Sequence, residues 1–284
     1  MHGGDGRIRL ISKKNGKIFT GRYRTGAGVY TPQAMQRIHG VFGADYDPHK
    51  LRISLRLIEF VDFLEDHFRP GAWVTVTSGY RSPQYNSNLR QKGALAAKAS
   101  LHQYGMALDL ILEGVPAKDI WEYVRELQFG GAGYYHGQTV HIDVGPARSW
   151  DETTSGVGTG ISDDNKLIGL VTAFDRYLPG ETLELRFIRM TAFPIGVNSG
   201  FELISLAQGQ TPVPVTRFVP QLPSPAANPC PAFKDIDGMD GFRWTLPGDL
   251  PPGRYAVRAR FCENPWNKMP EQVTTPAFEV LPAD

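Results

Sequence analysis

The chain has 284 residues, 41% hydrophobic and 21% charged, with 30 basic residues against 29 acidic ones for a net charge of +1. That length favours two domains, and the composition excludes a disordered chain. The near-neutral balance leaves no global field for nucleic acid or an anionic membrane, and no apolar stretch approaches the ~20 residues that span a bilayer. The opening Met-His-Gly-Gly-Asp lacks the charged and apolar sections of a signal peptide.

Taken in chain order, residues 7–24 predict a β-hairpin whose tight turn is Asn15-Gly16. The stretch carries seven basic residues and no acid (Arg7, Arg9, Lys13, Lys14, Lys17, Arg22 and Arg24), which reads as a solvated hairpin. Thr31-Pro32 marks a helix start, and Leu57, Val61, Leu64 and Phe68 recur with helical spacing on one buried face. Pro70-Gly71 ends that helix, and AWVTVTSGY alternates as a strand. SPQYNSNLRQ predicts a short helix with Ser82 as N-cap and Pro83 at its first position. A further amphipathic helix spans 116–128, followed by short strands in GGAGYY and TVHIDVG.

The composition shifts at Asp151. The polar, glycine-rich stretch 151–165 reads as a linker between a domain at 1–150 and a second at 166–284. In the second, Leu183, Leu185 and Phe187 alternate with Glu184 and Arg186. Tyr255, Val257, Ala259 and Phe261 likewise alternate with Arg254, Arg258 and Arg260. Period-two strands around a proline-dense segment predict an all-β, immunoglobulin-like sandwich after an α+β domain. Cys230 and Cys262, the only cysteines, are expected to form a disulfide within it.

The chemistry concentrates in two segments. SLHQYGMALDL places His102 seven residues before Asp109, a carboxylate in an apolar strand that needs a partner or a metal to be buried there. Gly105 permits a turn that folds His102 back over Asp109. TVHIDVG puts His141 and Asp143 on one side of a second strand. Each feature alone has an ordinary structural explanation. Together, His102, Asp109 and His141 fit the three protein ligands of a catalytic zinc ion. No G-x-S-x-G elbow supports a serine hydrolase, and GGAGYYHG lacks the pattern of a phosphate loop.

SGYRSPQYNSNLR, AAKASLHQYGMALDL and GGAGYYHGQTVHIDVGPARSW, in that order, resemble the zinc D,D-peptidases of bacterial cell walls. This is the superfamily of lysostaphin-type, D-Ala-D-Ala-cleaving and hedgehog-type folds, and the likeness is to its murein endopeptidase branch, over about 7–150. The resemblance implies zinc on His102, Asp109 and His141, with Arg81 on a substrate carboxylate. It implies peptidoglycan peptide stems as substrate, a periplasmic home and a removed signal peptide. Tyr135 is a candidate catalytic contact, and Ser100 and Tyr134 are candidate substrate contacts. Many relatives carry an acid three residues before the last ligand, where this chain has Gln138. Others use His-x-His in this strand, a register that makes Asp143 the ligand and His141 its helper. Asp143 is therefore open between general base, ligand and orienter of His141, and His136 is the next base to test. The expected function is cleavage of murein cross-links by a D,D- or L,D-endopeptidase. The alternatives are a catalytically silent cell-wall binding module and a D,D-carboxypeptidase.

Overall fold

The structure, a computed structural model, describes residues 3–26, 28–48, 52–93, 96–154, 164–206, 211–222, 228–263 and 265–282. It divides into two compact units, residues 2–160 and 161–284. The predicted linker falls mostly on 155–163, outside the described residues.

Among its described residues the first unit is a seven-stranded mixed sheet with four α-helices. The hairpin β1 (Arg7–Ser12) and β2 (Ile18–Arg22) leads to α1 (Pro32–Phe42) and α2 (Leu55–Phe68). Then come β3 (Trp73–Ser78), α3 (Pro83–Gln91), β4 (Ala107–Leu112) and α4 (Ala117–Leu127), closing with β5 (Gly131–Tyr134), β6 (Val140–Asp143) and β7 (Arg148–Asp151). The sheet order is β2-β1-β3-β4-β6-β5-β7. β4 and β6 sit near the middle and pair antiparallel, with Asp109 opposite His141. That register brings the two predicted ligand strands side by side. The α3 cap is as expected: the Tyr85 N–H donates to Ser82 Oγ at 3.2 Å, with Pro83 in the first turn.

Helix α2 departs from its pattern. Leu57, Val61 and Leu64 are buried as expected, but Phe68 is only half-buried. On the polar side Glu59, Asp62 and Glu65 are buried as well. The reason is the N-terminal segment, which lies over that side: Asp5 N–H donates to Asp66 Oδ2 at 2.7 Å and Gly6 N–H to Asp62 Oδ2 at 2.9 Å.

Among its described residues the second unit is built of strands and one short 3-10 turn. A three-stranded antiparallel sheet joins Phe242–Thr245, Thr182–Ile188 and Gly169–Thr172. A six-stranded sheet centres on Phe201–Ser205 and Gly253–Arg260. Phe187 and Phe242 of the first sheet meet Phe201 of the second at ring-centroid distances of 6.3 and 5.8 Å. Cys230 and Cys262 form a disulfide.

Candidate metal centre

His102 lies in a 3-10 turn, Leu101–Tyr104, that runs into Gly105 at φ 60° and then into β4. A side chain at Gly105 would collide with the Arg52 carbonyl, and the Gly105 carbonyl accepts from Ser54 N–H at 2.9 Å. The turn can therefore reverse only because position 105 has no Cβ. It brings His102 Nε2 to 3.5 Å from Asp109 Oδ1. His141 Nδ1 reaches the same oxygen at 2.9 Å. These three residues form one buried group of converging ligand atoms.

The outer nitrogen of each imidazole is engaged. His102 Nδ1 lies 2.7 Å from the Gly79 carbonyl, which only accepts, so Nδ1 carries the proton and Nε2 offers its lone pair inward. His141 sits between two carboxylates, Nε2 3.0 Å from Asp143 Oδ2 and Nδ1 2.9 Å from Asp109 Oδ1, so both nitrogens donate, and a metal bound there would take the place of the Nδ1 proton. With that proton displaced, two imidazole nitrogens and one carboxylate oxygen are the donor set of a catalytic zinc site. The residues fit that ion.

Each aspartate is held by an arginine. Arg81 Nη2 donates to Asp109 Oδ2 at 2.8 Å while its Nε donates to Ser78 Oγ at 3.0 Å. Arg148 grips Asp143 with both arms, Nη1 to Oδ1 at 2.9 Å and Nη2 to Oδ2 at 2.6 Å, and Gly145 N–H adds to Oδ1 at 2.9 Å. Burial by itself would push the Asp109 carboxyl up, but the His102 and His141 imidazoles hold it well below the usual carboxylate range. Asp143 is likewise held down against burial by the His141 hydrogen bond and the Arg148 charge. His141, which burial alone would lower, is raised to about 9 by its hydrogen bonds to Asp109 and Asp143. Burial pulls His102 below its ordinary value.

The remaining predicted residues divide. Tyr135 joins the cluster, its Oη donating to Asp109 Oδ1 at 3.1 Å, and burial together with the Asp109 charge keeps the phenol protonated. Tyr134 turns to α4 instead, stacking on Trp121 at 5.6 Å and lying tilted against His136 at 4.5 Å. Ser100 is buried at the start of the 3-10 turn, where its carbonyl accepts from Gln103 N–H at 3.2 Å. Gln138 is exposed in the loop before β6, and His136, also exposed, bonds Asp151 Oδ1 at 2.7 Å. Sequence reasoning missed Arg148 altogether. A basic residue two positions beyond Gly-Pro, after a buried His-x-Asp, was the available signal.

A family model described as "Peptidoglycan L,D-endopeptidase MepK" matches residues 5–150. Among curated relatives, the peptidoglycan L,D-endopeptidase MepK of Escherichia coli (strain K12) is 32% identical over 149 residues, covering 51% of this chain and 81% of that protein. A probable peptidoglycan L,D-endopeptidase MepK of Haemophilus influenzae is 38% identical over 80 residues, 28% of this chain and 43% of that protein. The chain therefore belongs to the peptidoglycan L,D-endopeptidase MepK family.

Proposed function

We propose that residues 5–150 are a zinc-dependent endopeptidase cutting an L,D-peptide bond in peptidoglycan cross-links, such as the 3–3 link between diaminopimelates. The observation that carries this reading is the convergence of His102 Nε2, Asp109 Oδ1 and His141 Nδ1, with the outer nitrogen of each imidazole already bonded to an acceptor. The relatives' printed activity supports the L,D bond over the D,D bond and over carboxypeptidase trimming. Zinc held by these three residues would supply a Lewis acid that activates water and polarises the scissile carbonyl.

The chain's own residues take the remaining roles. Asp143 orients His141 and is not the general base: both its oxygens are engaged and the residue is 0% exposed. It is not the third ligand either, because His141 presents Nδ1 to Asp109 while Asp143 sits behind the ring. Arg81 orients Asp109 and offers its other guanidinium edge to a stem-peptide carboxylate. Tyr135, a protonated phenol beside Asp109, is suited to donate to the oxyanion as it forms. Ser100, buried at the start of the 3-10 turn, and Tyr134, packed on Trp121, are taken by structural roles, so we assign neither a substrate contact.

The second unit we read as an immunoglobulin-like accessory sandwich, supported by its three-stranded and mainly antiparallel six-stranded sheets, which meet through Phe187, Phe201 and Phe242. The disulfide supports an oxidising, periplasmic or extracellular setting, where peptidoglycan lies. Among the described residues no helix is long and apolar enough to cross a membrane.

Elemental analysis and muropeptide digestion test the reading together. Near one zinc per chain and cleavage of cross-linked dimers into monomers are expected. His102→Ala should abolish both, and Gln138→Ala should keep the metal. Equal zinc in wild type and His102→Ala would overturn the site. Stoichiometric zinc with no cleavage of 3–3 or 4–3 dimers would favour the silent binding module, to which Gln138 at the usual acid position points.

A further inference from the structure

We propose that Arg148 and Trp150 of β7 are positioning residues that hold His141 in its ligating orientation, and that the glycines of β5 exist to let them reach it. The inference rests on the metal site proposed above and adds residues to it.

The register of the sheet carries the argument. β5 lies between β6 and β7, and Gly131 pairs with Asp143 on one side and with Arg148 on the other. The Asp143 carboxylate and the Arg148 guanidinium, from the two flanking strands, thus meet over Gly131. A Cβ there would collide with both Asp143 Oδ2 and Arg148 Nη1. Two residues on, Gly133 pairs with Trp150 in the same way, and a Cβ at Gly133 would strike the indole. Gly131 and Gly133 share one face of β5, just as Arg148 and Trp150 share one face of β7. The Gly-x-Gly of β5 is therefore a trough, and the Arg-x-Trp of β7 fills it.

Both side chains bear on His141, Arg148 through Asp143 and Trp150 directly. Arg148 fixes Asp143 by a two-armed fork, so the carboxylate cannot rotate, and Oδ2 then accepts from His141 Nε2 at 3.0 Å. Trp150 lies against the ring, tilted 45° with centroids 5.6 Å apart. Its backbone carbonyl accepts from Trp121 Nε1 at 3.1 Å, which ties β7 to α4. One residue thus fixes the donor edge of the imidazole and the other its face. Carboxylates that orient a ligating imidazole govern metal affinity in this way generally, and here the carboxylate is itself held.

The test is zinc affinity of the full chain, measured by competition with a chromophoric chelator, with folding followed by circular dichroism. Arg148→Gln should weaken zinc by roughly 10–100-fold, and Arg148→Lys, which keeps the charge without the fork, should recover part of it. Gly131→Ala, which keeps both residues in the sequence but crowds their fork, should weaken zinc similarly. In an Asp143→Asn background the Arg148→Gln exchange should cost little more, because the relay is already broken. Folded Arg148→Gln protein with wild-type affinity would overturn the proposal, as would losses that simply multiply in the double variant. His102→Ala separates the two readings. If it loses zinc while Arg148→Gln does not, the site stands and the relay falls; if it too retains zinc, the site itself is wrong.

Discussion

Two aspartates of the first unit are buried to nearly the same depth and behave in opposite ways. Asp109 is 6% exposed and Asp62 0% exposed. Burial pushes both carboxyls up, yet Asp109 ends well below its ordinary value while Asp62 rises to about 7. The difference lies in their partners. Asp109 is met by Arg81, His102 and His141. Asp62 is met by the Tyr23 hydroxyl at 2.7 Å and the Gly6 N–H at 2.9 Å, both neutral, and the charges of Asp66 and Asp5 oppose its ionisation. A buried carboxylate is made a ligand or a neutral structural tie by the charge of what surrounds it, not by depth.

The same Asp→Asn exchange should therefore break the two sites in opposite senses. Asp109→Asn should lose stoichiometric zinc, and cleavage should fall by more than the roughly 100-fold that loss of an outer partner costs; metal analysis and muropeptide digestion read both. Asp62→Asn should leave zinc untouched and change the pH dependence of folding. The folded Asp62 carboxyl keeps its proton to about pH 7, against an unfolded value of 3.8. Its contribution is complete below pH 4 and is lost as pH rises through 7, a swing of order 4 kcal/mol. Urea unfolding of metal-free wild type and Asp62→Asn between pH 4 and 8 should give two curves that differ by that slope, the variant being the flatter. Parallel curves would show Asp62 ionised in the fold. Smallest is Tyr23→Phe. It removes a hydrogen bond, costs about 1 kcal/mol, and should move the Asp62 carboxyl still higher, since that bond favours the charged form. Carboxyl NMR titration would register the shift.

The contrast also marks what was legible in the sequence. His102, Asp109, His141 and Asp143 could be found because strand alternation and one glycine fix which side chains meet. Ser82 announced α3 because a cap is local chemistry. Asp62 gave no signal: its position on α2 reads as solvent-facing, and only a segment some sixty residues earlier in the chain covers it. Arg81 was expected to serve a substrate carboxylate, and its bond to Asp109 appears only when β3 and β4 pair. Arg148 stayed hidden because its partner is reached across an intervening strand. Local periodicity reports which face a residue occupies; it does not report which residues from elsewhere arrive at that face.

Gly105 has a consequence for anyone mapping this enzyme by mutation. It has no side chain to offer the candidate metal site, and the Arg52 carbonyl fills the space where one would go. A library of random substitutions scored for cell-wall cleavage would rank position 105 beside His102 and Asp109, and an unwary reader would assign it a role in the chemistry. Its role is to stay empty. Of the letters that make His-Gln-Tyr-Gly-Met-Ala-Leu-Asp recognisable, one is selected for vacancy rather than reactivity, and only variants scored for folding as well as turnover would tell the two kinds of constraint apart.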